Sequence, residues 1–367
     1  MEFKTNTQPL SDALNLGIVN ANVSKFYQPS CLAHLTAKRN KLIINLEAER
    51  LLTQITVSGM GSENEESSIF VDNLKLKQLI NTLDTNTVDL VFAEDGLTIK
   101  SGKAKFTLAK MVDEEVAIKK PSTPFEDDAQ LEVSKDDWKF ISDKQMYAIA
   151  MNYIHPVYTR AWMGDQGDVI VGDYDNSLFT HSTKNTLGVT CLLKDTIVNL
   201  LTSLPEGSKL YKHGRSYIVV VNTEGYEMIT EFTPEYEDEE GSIGNYNSDI
   251  ILGIFDKPEE HITFNPAVIN KFLSQADILS EGSDDIIDVS FGEGKLSFDG
   301  PRVDYDVDVA GTCMPFNIKF RSKALKSVLS KYDGEKMNLA PLSNGEEVAG
   351  ITVWSDDLVT SLAGVED

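Results

Sequence analysis

The stretch Val88–Leu108, VDLVFAEDGLTIKSGKAKFTL, alternates β-rich runs with turn signals at Asp95-Gly96 and around Gly102. That is the pattern of short strands joined by tight turns. Immediately before it, Leu76, Leu79, Ile80 and Leu83 stand at i, i+3, i+4 and i+7, the spacing of one helix face. A short helix followed by a few strands is too small to enclose a core alone, so the decisive matter is whether the unit recurs. Its charge raises a second question, because Lys100, Lys103 and Lys105 lie on it although the 367-residue chain has a formal net charge of −25.

The unit does recur. Ile197, Leu200, Leu201 and Leu204, then Leu325, Val328, Leu329 and Tyr332, repeat the helical signature. Strand-like runs follow each, KLYKHGRSYIVVVNTEGYEMITEF and MNLAPLSNGEEVAGITVW, with turns expected at His213-Gly214 and Asn344-Gly345. Three further helices are predicted over Leu10–Ala21, Trp138–Tyr153 and Asn265–Leu279, each again followed by strand-rich sequence. The last has Asn265 as N-cap and Pro266 at the first helical position. The chain is therefore read as α+β, six half-units of one helix plus strands, paired into three similar domains.

Length agrees, since single cores stop growing near about 250–300 residues. The segments VDEEVAIKKPSTPFEDD (112–128) and PEYEDEEGSIGNYNSD (234–249) follow neither period and concentrate Pro, Gly and acids, as linkers do. They set domains at 1–120, 121–252 and 253–367.

A composition of 41 % hydrophobic and 25 % charged residues is that of a globular chain. No signal-peptide pattern and no bilayer-length apolar run is present, which predicts a cytoplasmic protein without a membrane partner. Cys31, Cys191 and Cys313 are widely separated, as reduced structural thiols are. The acidic balance excludes a protein that coats nucleic acid through its overall charge.

Positive charge is nevertheless segregated. KFRSKALKSVLSK, Lys319–Lys331, holds five basic residues and no acid. Read as a helix, it buries Phe320, Ala324, Leu325, Val328 and Leu329 and turns Lys319, Lys323 and Lys326 to another face, beside Arg321. Lys75 and Lys77 mark the helix around Leu76, while the acids gather in linkers and loops. Such stripes are commonly solvated faces. Repeated on helices that line one surface, they would instead meet a phosphate backbone without reading its sequence.

Two stretches resemble the bacterial sliding clamp, the β subunit of DNA polymerase III. LTIKSGKAKFTL (Leu97–Leu108) is similar to the end of that family's first domain, and QADILSEG (Gln275–Gly282) to part of its third. The resemblance covers the whole chain and is most specific in these two stretches. It implies a DNA clamp fold: a homodimeric ring of six domains, helices lining the hole and sheets outside, encircling duplex DNA and tethering polymerase as a processivity factor. An ATP-dependent clamp loader is implied as a partner, and no cofactor, metal or catalytic residue.

Carried over by position, the resemblance assigns DNA contact to Lys25, Lys75, Lys77, Lys319, Arg321, Lys323 and Lys326. The head-to-tail subunit contact falls on Leu108, Ile278 and Leu279. A pocket for partner peptides falls on Thr159, Trp162, Asp173, Asn176, Leu178, Pro258, Leu362 and Val365. The chain departs from the family at this pocket, with DNSL where a Gly-His-Arg-Leu-like run is usual and LAGVED where a Met-Pro-Met-like tail is. A divergent, virus-encoded clamp would fit. Lys100, Lys103 and Lys105 alternate on strands near a domain end and are expected to decorate a surface or pair with linker acids.

Enzyme motifs do not take shape. Asp304, Asp306 and Asp308 begin like a calcium loop, but the sixth-position Gly is missing and Pro315 stands where the bidentate Glu belongs. Neither SGK nor SGMGSEN completes a phosphate-binding loop, and the five histidines are scattered. The alternative from another class is an acidic β-rich structural or assembly protein of a virion, in which the basic helix is merely solvated.

Overall fold

The computed structural model describes residues 1–18, 32–48, 50–62, 65–111, 119–149, 160–173, 177–236, 253–279, 286–300, 304–343 and 347–365, with backbone alone at 276–279. Among the described residues six helices stand in the six expected places: α1 (Thr7–Gly17), α2 (Asn73–Asn81), α3 (Lys135–Lys144), α4 (Asp195–Ser203), α5 (Pro266–Leu279) and α6 (Ser322–Leu329). The end of the predicted Leu10–Ala21 helix, part of Trp138–Tyr153 and the Asn344-Gly345 turn lie outside the described residues.

Local chemistry sets the helix starts. Asp72 caps α2 by accepting from the Lys75 N–H at 2.8 Å, and Asn265 accepts from the Ala267 N–H at 2.9 Å ahead of α5. α1 begins earlier than expected, at Thr7, because Pro9 falls in the first turn, where its missing N–H costs nothing. α6 begins later, at Ser322, and this corrects the basic helix. Lys319, Phe320 and Arg321 continue the strand Phe316–Arg321, whose Phe316, Ile318 and Phe320 alternate inward against Ile286–Gly292.

The described residues form two compact units, Met1–Trp138 with Asp195–Glu235, and Lys139–Lys194 with Tyr236–Asp367. In the first, a 12-stranded antiparallel sheet runs in the order Ala104–Ala109, Gly96–Ser101, Thr87–Phe92, Glu2–Asn6, Leu51–Gly61, Tyr226–Phe232, Ser216–Asn222, Lys209–His213, Ala129–Leu131. Strands Leu32–Lys38, Lys41–Ala48 and Ser67–Asp72 branch from Leu51–Gly61. Leu10 and Leu14 of α1, Leu76 and Ile80 of α2 and Leu200 and Leu201 of α4 are all buried. Burial of each such side chain stabilises the fold by about 1.5–3 kcal/mol.

The hairpin expected within Val88–Leu108 is present. Ser101 pairs with Ala104 across Gly102-Lys103, and Gly102 has φ +58°, which suits glycine at the first turn position. Asp95-Gly96 differs in detail: Gly96 starts the next strand, where an added Cβ would lie 2.4 Å from the Leu108 carbonyl oxygen. The glycine is required by close backbone approach more than by turn shape.

In the second unit a nine-stranded sheet is ordered Cys191–Lys194, Arg160–Met163, Val169–Asp173, Leu178–Ser182, Val359–Ala363, Val348–Trp354, Met337–Ser343, Ile262–Phe264, Ala310–Gly311. A four-stranded sheet is ordered Asp304–Asp308, Lys295–Asp299, Ile286–Gly292, Phe316–Arg321. α5 packs on the latter through Phe272, whose ring centroid lies 5.9 Å from Phe298 and 5.5 Å from Tyr305.

Candidate functional site

α2 and α6 carry Lys75, Lys77, Lys323 and Lys326 and no acid, in contrast to α3, where Lys135, Lys139 and Lys144 are mixed with Asp136, Asp137 and Asp143. Lys75 leaves 68 % of its side chain exposed, 3.9 Å from Asp72. Lys77 acts locally, because its ammonium donates to the Ile18 carbonyl at 2.7 Å, at the C-terminus of α1. Burial there pulls its pKa below the usual lysine value. On α6, Lys323 is exposed and Lys326 half-buried, with Leu325, Val328 and Leu329 packed on the other side. Lys271, exposed on α5, is a helical cation that sequence reasoning missed because it stands alone in its stripe.

Lys319 and Arg321 point the other way. They alternate with the inward Phe316, Ile318 and Phe320, so they occupy the sheet face away from α5, and Lys319 stands opposite Asp288. Neither belongs to a helical stripe. Lys25 lies outside the described residues.

The pocket residues are divided by their own sheet. Trp162 pairs with Ile170, Ile170 with His181, and His181 with Val359, so these four share one face. Buried Phe179, Leu192, Phe255, Ala340 and Trp354 join Trp162, Ile170 and Val359 in one apolar cluster. His181 stacks on Phe255 at 5.2 Å while its Nε2 lies 2.8 Å from Asp168.

Leu178 pairs with Asp173 and Leu362, an odd number of residues from His181, and therefore faces the opposite side. That side carries Thr180 and Thr360, the Gln145 amide that accepts from Ser182 Oγ at 2.7 Å, and the Tyr332 phenol 2.9 Å from Thr360 Oγ1. Leu178 and Leu362 thus do not share a wall with Trp162. Asp173 and Val365 are half-buried and Pro258 is exposed. Val365 donates its N–H to the Lys319 carbonyl at 2.8 Å, tying the chain end to the edge of the four-stranded sheet. Thr159 and Asn176 lie outside the described residues.

Leu108 is buried on the edge strand Ala104–Ala109, opposite Leu97. Ile278 and Leu279 belong to the last turn of α5, beyond the described side chains. Lys100 pairs with Glu2 at 3.1 Å rather than with a linker acid. The linker backbone is held by acids in its turn, with the Ser122 N–H donating to Glu231 at 2.7 Å.

Neither described cysteine is disposed to ionise. Burial pushes the Cys191 thiol up to about 12 and the Cys313 thiol up to about 11, far from thiolate nucleophiles. Asp304, Asp306 and Asp308 lie exposed on a strand, and among the described residues no group of three or more His, Cys, Asp or Glu side chains is arranged to hold a metal ion. No described helix is long and apolar enough to cross a membrane.

No protein-family model matches the sequence, and no curated protein does. Solved structures do match the fold. The DNA polymerase III beta subunit of Thermotoga maritima aligns over 100 % of this chain and 99 % of its own, with a TM-score of 0.75 at 14 % identity. The DNA polymerase sliding clamp of Caulobacter crescentus aligns over the whole of both chains, with a TM-score of 0.72 at 14 % identity. That of Bacillus subtilis covers 100 % of this chain and 99 % of its own, with a TM-score of 0.72 at 13 % identity. The chain has the sliding-clamp fold from end to end.

Proposed function

We propose that this protein is a DNA sliding clamp, a ring of two copies that encircles duplex DNA and tethers the replicative polymerase. The observation that carries the reading is the structural likeness to sliding clamps across the full length of both chains. A three-domain division at 1–120, 121–252 and 253–367 is supported by consecutive helix pairing. Ser11 of α1 donates to Asn81 of α2 at 2.6 Å, Thr202 of α4 to the Trp138 carbonyl of α3 at 3.1 Å, and Asn270 of α5 to the Leu329 carbonyl of α6 at 3.2 Å.

In this reading Lys75, Lys323 and Lys326 meet phosphates, with Lys25 assigned to the same surface by resemblance. Lys77 acts chiefly by holding α1, and Lys319 and Arg321 are withdrawn from the DNA surface. A closed ring cannot dissociate sideways, so weak, salt-sensitive contacts suffice and a chain of net charge −25 is no obstacle. The role requires no catalytic residue. It requires an ATP-dependent loader and a polymerase in a bacterial or virus-infected cytoplasm. Their peptides would meet the outer face around Trp162, Phe255 and Trp354 or the chain end near Leu362 and Val365.

Retention on DNA tests the proposal. The protein is loaded onto nicked circular plasmid with its host loader, and the plasmid is then linearised. Release on linearisation alone is the expected result, whereas equal release from circles and linear DNA would refute topological binding.

A further inference from the structure

Phe125 is 65 % exposed, the most exposed Phe, Tyr or Trp among the described residues, yet it is held in place. Residues 125–128 form a tight turn. The Asp128 N–H donates to the Phe125 carbonyl at 3.2 Å, and the Phe125 N–H donates back to the Asp128 carboxylate at 2.8 Å. The same carboxylate lies 2.9 Å from His213 Nδ1, and the His213 imidazole packs 5.0 Å from the Phe125 ring. The Phe125 N–H is the main cause that holds the Asp128 carboxyl below its ordinary range, so it is ionised at neutral pH and the turn stays closed. An apolar ring fixed in water has already lost the freedom that binding would otherwise cost, which suits it to anchor a partner.

The turn leads directly into a sheet edge. Ala129–Leu131 ends the 12-stranded sheet and pairs with Leu210–Lys212 on its inner side. Among the described residues it has no strand and no backbone hydrogen bond on its outer side, and Ala129 and Gln130 are exposed. Such an edge is a template for strand addition. Acids flank it, Glu126 and Asp127 before it and Glu132 after it, all exposed and without an ion pair among the described residues. The cation nearest in register, Lys212 opposite Ala129, is half-buried one strand behind the edge. Acids alone would protect an edge from its own kind. They do not explain an apolar ring fixed beside them.

We propose that the edge Ala129–Leu131, with Phe125 as its anchor, receives an extended basic peptide of a partner protein, which adds one strand to the sheet. Backbone hydrogen bonds hold the peptide, an apolar side chain of it covers the Phe125 ring, and its lysines or arginines lie beside Glu126, Asp127 and Glu132. A second copy of this chain does not fit, because two chains of net charge −25 would bring the same acids together, and DNA is repelled for the same reason. The site shares no residue with the DNA, subunit or partner-pocket assignments, so it stands or falls independently of the ring.

The test uses the full chain and a fluorescently labelled eight-residue peptide alternating Lys and Val. Binding should raise the anisotropy of the peptide and slow amide hydrogen exchange across Ala129–Leu131. Phe125→Ala and Glu132→Lys should each weaken binding about tenfold. Asp128→Ala, which frees the ring without removing it, should weaken binding about threefold. A Glu-Val peptide of the same length should not bind. Two further Lys-Val peptides, N-methylated at the odd or at the even residues, keep the charge; one of them should lose binding, because only one set of N–H groups faces the edge. Phe125 and Glu132 are exposed, so their variants should melt like wild type, and lost binding is then not lost folding. Equal affinity for wild type and Phe125→Ala, both methylated peptides binding like the parent, exchange slowed elsewhere but not at this edge, or no binding at millimolar peptide would each overturn the proposal.

Discussion

Replacing Lys323 and Lys326 asks whether α6 faces DNA. The two lysines are three residues apart, about 60° around the helix, on the side away from Leu325, Val328 and Leu329. Each lysine that neutralises a phosphate contributes about 0.9 to the slope of log affinity against log salt. In the proposed ring of two copies the pair would occur twice, giving about four lysines, so truncating both to Ala should lower the slope by between about 0.9 and 3.6, depending on how many contact the duplex at once. Over a fourfold rise in salt, each lost contact is worth roughly 3.5-fold in affinity. Lys323 is exposed and Lys326 half-buried, so the cost in fold stability should stay near about 0.5 kcal/mol or below, and lost binding will not be lost folding. Fluorescence anisotropy on a short duplex at several salt concentrations reads the slope. Lys319→Ala is the internal control, because that residue lies on the sheet face away from the helices. An unchanged slope for the α6 variant, or an equal fall for Lys319→Ala, would refute the placement.

Two further outcomes follow from buried and crowded groups. Tyr332 is 3 % exposed and donates its phenol to the Val353 carbonyl at 2.9 Å, so Tyr332→Phe should cost about 1–2 kcal/mol in urea unfolding at constant m; a shift under about 0.3 kcal/mol would contradict that bond's role. Asp299→Asn should stabilise the chain at pH 7 by roughly 0.2–0.5 kcal/mol, read by thermal melting, because Asp288 and Asp304 stand directly opposite it on the neighbouring strands. The folded pKa of Asp299 lies above its unfolded value of 3.8, so native protein takes up the proton first. The repulsion is therefore present above the folded value and gone below about pH 3.8, where the stabilising effect of the substitution should vanish.

Helix and hairpin positions were legible in the sequence because both are set by neighbours in the chain. Apolar residues at i, i+3, i+4 and i+7 located the helices, and Ser101-Gly102 located the hairpin, since these depend on helix pitch and on glycine at positive φ. What the sequence left open was which face a side chain takes when that depends on a distant strand. Phe320 fits a helical stripe with Ala324 and Val328 equally well as a strand face with Phe316 and Ile318; only pairing with Ile286–Gly292 makes it a strand residue and turns Lys319 and Arg321 outward. Trp162, Leu178 and Leu362 fall on two faces because the pairing register of their strands is set across the sheet, and one residue of offset reverses a side chain. The alignment of charges across a sheet is likewise a property of register alone. Lys4, Asp89, Lys100 and Lys105 are scattered along the chain, and no local period relates them; the fold sets them side by side and leaves the last at an edge. Local physics thus determined the elements of this protein, and long-range strand pairing decided which of its charges face helices, which face away, and which remain at an edge.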